Sequence, residues 1–122
     1  PLEVLKLWGR VLARIQSVPE KKALWSILTQ QDFEKTATSP DYLPQVLDEL
    51  DNTTENRDIV VILYEELGKI KGVVRARKHS SAIQMAEKFS GGLGNKREAY
   101  FEIREQNFEK AEESVVAHLK SL

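Results

Sequence analysis

Apolar residues recur at three- and four-residue steps along most of the chain, which is the spacing of one face of an α-helix. In residues 2–16 the pattern runs through Leu5, Trp8, Leu12 and Ile15. Helix start signals, such as a serine followed three residues later by glutamate or glutamine, separate the periodic segments. The pattern predicts helices over residues 2–16, 19–35, 40–50, 58–79, 81–89 and 95–122.

Residues 58–79 form the segment around which the others are expected to pack. Residues 59–67 are the most apolar run in the protein, and the remainder of the segment carries five cationic residues and no acidic one. Residues 60–62 have high β-propensity, but apolar positions continue after them at helical spacing. We therefore expect a continuous or gently broken helix here and no strand, with Gly68 and Gly72 marking a kink, a close contact with a neighbour, or a split into two helices near Gly68.

These segments predict an all-α fold, which would be a compact bundle of five or six amphipathic helices packed mostly as antiparallel neighbours. The 122 residues are the usual length of one domain, so we expect a single helical domain over residues 1–122. Because the first residue is proline rather than methionine, we expect this domain to be excised from a longer chain.

The absence of cysteine excludes disulfides, thiolate metal sites and cysteine nucleophiles. This composition is typical of proteins in a reducing compartment, so we expect an intracellular location in the cytoplasm or nucleus. No apolar run approaches the roughly 20 residues that span a bilayer, and no membrane partner is expected.

Charge is distributed in blocks of opposite sign, although the formal net charge is only −1. Residues 36–66 carry a net charge of −7, and residues 67–97 carry +7. A cationic surface of this density can bind an acidic partner or neutralise phosphates. The candidate binding residues are Lys71, Arg75 and Lys78, which share one stripe of a helical wheel, together with Lys96 and Arg97.

Three interpretations of this basic set are open. The cations can pair internally with the acidic block, contact an acidic protein partner, or bind nucleic acid. Bases stack on exposed aromatic side chains, and none is interleaved with these basic residues. A protein partner is therefore preferred over DNA or RNA.

A second candidate surface lies on the last predicted helix. Phe101, Phe108 and Val115 fall at seven-residue steps, which is the spacing of a seam between packed helices. This spacing predicts an oligomer contact, so a homo-oligomer formed through the last helix is a further hypothesis.

Motifs that would indicate catalysis are absent from the sequence. Residues 90–97 combine glycines with two cations, as phosphate-binding loops do, but they lack the Gly-Lys-Ser/Thr ending. They are interpreted as a helix stop and a hinge. His79 and His118 have no second ligand at the spacing of a helical metal site. We therefore predict that the protein is not an enzyme and has no catalytic residues, metal or cofactor.

Leucine pairs and a basic triplet occur in residues 46–89 in an order that is found in a known family. The residues are Leu47 and Leu50, Leu67-Gly68-Lys69, Val73-Val74, Arg77-Lys78-His79 and Ala86. This succession resembles the N-terminal domain family of the transcription factor TFIIS. The resemblance implies a helical bundle that docks short linear motifs. The family's terminal tryptophan has no counterpart after Phe89.

The sequence as a whole predicts a non-catalytic protein–protein interaction module. A groove between amphipathic helices would dock a partner helix or a short peptide, and the charge blocks would steer the partner. Two alternatives are a nucleic-acid-binding accessory domain that uses a basic helix over residues 69–78 and a transcription adaptor like the TFIIS domain.

Overall fold

A six-stranded mixed β-sheet lies at the centre of the protein, so the predicted all-α helical bundle is wrong. The computed structural model describes residues 1–105 and 107–122. In this part of the chain the strands are β1 (Gln16–Val18), β2 (Ala23–Leu28), β3 (Ile59–Glu66), β4 (Lys69–Ala76), β5 (Ser90–Gly94) and β6 (Glu98–Ile103). The helices are α1 (Leu2–Ala13), α2 (Gln30–Thr36), α3 (Leu43–Thr53), α4 (Ala82–Ala86) and α5 (Phe108–Lys120).

The strands lie in the order β1-β2-β3-β4-β6-β5. The β2–β3 pair is parallel, and each of the other neighbouring pairs is antiparallel. Parallel strands need a long crossover connection, and here α2 and α3 supply it between β2 and β3. Helices cover both faces of the sheet, with α1, α2 and α3 on one face and α4 and α5 on the other.

The central strand β3 explains the most apolar run of the sequence. Val61 and Leu63 point into the core beneath α4 and α5, whereas Val60 and Ile62 point into the core beneath α1, α2 and α3. All four side chains are fully buried. A strand buried on both faces shows no polar alternation, and its uninterrupted apolar run can be mistaken for part of a buried helix.

The predicted helix over residues 58–79 is two antiparallel strands joined by a tight turn. Glu66 pairs with Lys69, which leaves a loop of two residues, Leu67 and Gly68. Both have positive φ angles, 51° and 75°, as a type I′ hairpin turn requires. The residues that carry the TFIIS resemblance in this region lie in a hairpin, so the helical bundle implied by that resemblance is not present.

Gly72 lies directly against an aromatic ring of the neighbouring strand. An added Cβ atom at this position would lie 2.1 Å from Cζ of Phe101 on the neighbouring strand β6. The Phe101 ring in turn stacks on Phe89, with the ring centroids 4.5 Å apart. Gly72 therefore marks a close contact, which is one of the three predicted roles, although the contact is between strands.

The predicted helix over residues 95–122 is wrong in its first half, which forms β6. Phe101 lies on β6, whereas Phe108 and Val115 lie on α5, and residue 106 is outside the described residues. Phe101 is 3% exposed and Val115 is fully buried, while Phe108 packs partly buried against the same core. The continuous helical seam on which the predicted oligomer contact depends is therefore absent.

Asp32 connects α1 to α2. Its carboxylate accepts hydrogen bonds from the guanidinium groups of Arg10 and Arg14 and from the backbone N–H of Thr29, the residue that caps α2. Burial alone would raise the pKa of Asp32, but the hydrogen bonds from Arg14, Thr29 and Arg10 outweigh it and hold that pKa well below its ordinary value of 3.8.

In the described part of the chain, none of the helices combines the length and the hydropathy of a bilayer-spanning segment.

We expect Gly72→Ala to lower the free energy of unfolding by about 1–3 kcal/mol, because the added methyl group overlaps the Phe101 ring. Gly9→Ala is the matched control. No atom lies within 4 Å of its added Cβ, and alanine in a helix interior is expected to stabilise by up to about 1 kcal/mol. Urea unfolding measures both changes, and an unaltered midpoint for Gly72→Ala would contradict the packing.

Asp32→Asn is expected to lower the free energy of unfolding by about 2 kcal/mol at pH 7. A carboxyl group whose pKa is lower in the folded state stabilises the fold above its unfolded pKa near 3.8, and this contribution is lost on acidification. The variant should therefore lose less stability than the wild type between about pH 5 and pH 2. The exposed Asp41→Asn is the control, and parallel pH profiles for Asp32→Asn and the wild type would refute the assignment.

Candidate functional site

Arg75 lies at the end of β4, where it joins the sheet to α3. Its guanidinium group lies 2.8 Å from carboxylate oxygens of Asp48, Asp51 and Glu98. Arg75 is only 5% exposed. Burial alone would lower the pKa of Arg75, but the hydrogen bonds to Asp48 and Glu98, with the charges of these carboxylates, raise that pKa above its ordinary value. Arg75 is a structural residue and not a free binding group.

Two further arginines, Arg57 and Arg77, contact Asp51. Arg57 is 2% exposed and forms an ion pair with Asp51. Burial, followed by the positive charges of Arg77 and Arg75, lowers the pKa of Arg57 to about 10, so it remains charged at neutral pH. Arg77 donates to the main-chain oxygens of Asp51 and Thr54, at 3.0 and 2.9 Å. Asp51 is therefore the shared anion of an arginine cluster that closes one end of the fold.

Lys78, Lys96 and Arg97 extend from this cluster into solvent. Arg97 keeps only a 3.5 Å contact with Asp51, and its side chain is 67% exposed. The chain segments that carry these residues are joined by main-chain hydrogen bonds, from Ala76 N–H to the Arg97 oxygen at 2.8 Å and from Ala82 N–H to the Lys96 oxygen at 2.7 Å. The backbone thus holds the three cations close together before any ligand arrives.

Two cavities border these cations. The first, of about 410 Å³, is lined by Ala76, Arg77, Lys78, Lys96 and Arg97, and we call it the Arg97 cavity. The second, of about 460 Å³, is also lined by Lys78 and Lys96. We call it the Lys88 cavity, because Lys88 lines this cavity and not the first one. No acidic side chain is among the described residues that line either cavity. Both cavities are therefore suited to anions.

The structure brings together three of the five predicted binding residues. Lys78, Lys96 and Arg97 meet at the Arg97 cavity, whereas Arg75 is buried in ion pairs. Lys71 pairs with Glu66 at 2.9 Å near the hairpin turn, at the opposite end of β4. The basic stripe predicted from a helical wheel does not exist, because these residues lie on a strand and in loops.

Arg77 is a site residue that the sequence reasoning missed. It lies two residues from Arg75, and this period-2 spacing would have grouped the two arginines if the segment had been interpreted as a strand.

The glycine-rich segment of residues 90–97 is not the predicted hinge. It forms β5, in which an added Cβ at Gly92 would lie 2.9 Å from the backbone of Ala86, so the strand packs closely on α4.

The two histidines lie in different surroundings. His79 lines the Lys88 cavity, whereas His118 contacts the Ser114 oxygen and packs edge-on against Phe89. Within residues 1–105 and 107–122, no group of three or more histidine, aspartate or glutamate side chains is placed to hold a metal ion. The described residues therefore offer cationic binding groups but no metal centre.

Comparison with known proteins identifies the fold. No family model matches the chain, and no curated protein matches it. An exopolyphosphatase-related protein from Bacteroides fragilis superposes with a TM-score of 0.86 at 18% identity, over 99% of this chain and 35% of that one. A pGpG-specific phosphodiesterase from Vibrio cholerae gives 0.64 at 10% identity, over 98% and 39% of the two chains.

The exonuclease RecJ from Thermus thermophilus, in complex with Mn²⁺, gives a TM-score of 0.61 at 25% identity, over 99% of this chain and 17% of that one. This chain therefore spans between about one sixth and two fifths of the length of the three proteins. Their mixed α/β fold contradicts the helical interaction module predicted from the sequence. These neighbours are named as hydrolytic enzymes, and they contradict the prediction that the protein is not an enzyme.

Asp51→Asn is expected to lower the free energy of unfolding by about 3 kcal/mol, because it leaves the buried Arg57 and Arg75 without their shared anion. Asp48→Asn is the matched control. It also contacts Arg75, but its side chain is 65% exposed, and its removal should cost less than about 1 kcal/mol. Chemical unfolding of both variants measures the difference, and equal losses would show that Asp51 has no special role.

Proposed function

We propose that this domain is the substrate-binding part of a phosphoester hydrolase and that the Arg97 cavity binds a phosphate group of the substrate. The observation that carries the proposal is the lining of this cavity, in which Arg77, Lys78, Lys96 and Arg97 meet with no acidic side chain among the described lining residues. Cations at this density favour an anionic ligand, and each phosphate contact releases counterions.

The individual side chains suit this role. Lys78 and Lys96 are exposed, and within the described residues neither forms an ion pair with a side-chain carboxylate. Arg97 is held only by the long contact with Asp51, so its planar guanidinium group can turn toward a phosphate and bind it through two parallel hydrogen bonds. Because main-chain hydrogen bonds already fix the backbone that carries these groups, binding has to order only their side chains.

The structural neighbours support the ligand class. Their names include an exopolyphosphatase-related protein, a phosphodiesterase and an exonuclease, which all refer to the cleavage of phosphoester or phosphoanhydride bonds. The fold match covers almost the whole of this chain in each case. We propose that this chain uses the fold to hold a phosphorylated substrate.

Bond cleavage itself is assigned to a hydrolytic unit that works with this domain. The RecJ neighbour holds Mn²⁺, but the described residues of this chain provide no group of three metal-ligating side chains. These residues therefore do not fit a metal centre. The contribution of this chain is to bind the substrate, neutralise its charge and orient it.

An oligonucleotide takes the place of a protein as the proposed ligand of these basic residues. Nucleic acid was the less favoured partner of the basic residues, and an oligonucleotide is now a natural substrate, although the basic helix of that hypothesis does not exist. An intracellular location in the cytoplasm or nucleus stays a prediction, and it fits a substrate of this class.

Replacing Lys78 and Lys96 together by alanine is expected to weaken the binding of a 5′-phosphorylated thymidine pentanucleotide at least about tenfold, because both cavities lose two cations. Fluorescence anisotropy at several salt concentrations measures the effect. The slope of log K against log salt should fall by about 1.4, since each phosphate contact on a single strand contributes about 0.7.

A double replacement of Lys6 and Lys35 by alanine is the matched control. It removes the same charge from α1 and α2, which cover the opposite face of the sheet from α4. Equal weakening by both double variants, or no binding of the pentanucleotide by the wild type at low salt, would overturn the proposed function.

A further inference from the structure

We propose that the Lys88 cavity is a second subsite, which takes the next nucleotide unit of a linear substrate whose neighbouring phosphate lies in the Arg97 cavity. This inference rests on the proposed function and names the substrate more closely. The substrate would be an oligonucleotide that fills both cavities, and a mononucleotide would fill only one.

Four lysines from separate parts of the chain meet at the Lys88 cavity. Lys21 comes from the turn between β1 and β2, Lys78 follows β4, Lys88 follows α4 and Lys96 precedes β6. Among the described residues, none of the four forms an ion pair with a side-chain carboxylate. The Lys21 amino group donates to the main-chain oxygen of Leu122, which also lines the cavity.

The cavity combines its lysines with uncharged groups, which suit a nucleotide better than a bare phosphate chain. Ile59 and Met85 line it, and each side chain is only 1% exposed. Ser81 and Gln84 add polar groups that can donate or accept hydrogen bonds. The edge of a base can form hydrogen bonds with Ser81 and Gln84 while its phosphate meets the lysines, and the volume of about 460 Å³ is typical of a small-ligand site.

Lys78 and Lys96 connect the two cavities, because both side chains line both of them. A phosphate in the Arg97 cavity and a nucleotide in the Lys88 cavity would therefore share the same pair of cations. Successive units of one covalent chain fit this arrangement, because the chain itself already holds their phosphate groups close together. Linking the units also makes the second contact intramolecular, which strengthens binding of a longer chain.

The test compares two double variants on two ligands by fluorescence competition. Lys21→Ala with Lys88→Ala removes cations that line only the Lys88 cavity. This variant should bind the thymidine pentanucleotide about tenfold more weakly and thymidine 5′-monophosphate within about twofold of the wild type. Lys78→Ala with Lys96→Ala should weaken both ligands, and the Lys6/Lys35 control should weaken neither.

Two further ligands identify the source of the phosphates. An abasic pentamer with the same phosphates should bind several-fold more weakly than the pentanucleotide, and inorganic tripolyphosphate should show the smaller effect of Lys21/Lys88 replacement. Equal behaviour of the pentanucleotide, the abasic pentamer and tripolyphosphate would overturn the nucleotide subsite in favour of a phosphate chain.

The two proposals fail in different ways. If the Lys21/Lys88 variant weakens both thymidine ligands equally, or neither, while the Lys78/Lys96 variant still loses binding, the second subsite is refuted and the proposed function stands. If the wild type binds none of the phosphate ligands, the proposed function is refuted as well.

Discussion

Burial of β3 on both of its faces is the constraint on which the remaining structure depends. Val60 and Ile62 need one cover and Val61 and Leu63 need another, so a helical layer is required on each side of the sheet. The parallel pairing of β2 with β3 requires a crossover, and α2 and α3 provide it while covering one face. The other face is covered by α4 and α5, and the short α4 also places Lys88 beside the ends of β4 and β6.

The arginine cluster shows why this end of the sheet is cationic. Asp51, near the end of α3, forms ion pairs with Arg57 and Arg75 and a longer contact of 3.5 Å with Arg97. The acidic block of the sequence therefore does pair with part of the basic block, as one of the three interpretations held. This pairing neutralises the cations nearest to α3, whereas Lys78 and Lys96 are exposed to solvent. The same network that closes the fold thus determines which charges are available to a ligand.

Local patterns in the sequence were sufficient for some elements and not for others. The amphipathic period located α1, α3 and α5, and the predicted Ser81 cap is observed, with Gln84 N–H donating to Ser81 Oγ. The strands were missed because β3 has no alternation and because the Leu67-Gly68 turn lacks the asparagine or aspartate that usually marks a hairpin. The basic block of the sequence identifies three site cations, Lys78, Lys96 and Arg97. The separation of free from paired cations depends instead on contacts between β4 and α3, which are distant in sequence.

The outer strand β5 has a consequence for how molecules of this protein behave beside one another. It is only five residues long, it contains three glycines, and its pairing with β6 shifts register between Ser90 and Leu93. A long, regular edge would offer main-chain groups to a strand from a second molecule, whereas a short and irregular edge offers few aligned positions. The chain thus ends its sheet in a manner that resists strand-by-strand growth into aggregates, even though Leu93 at that edge is 75% exposed.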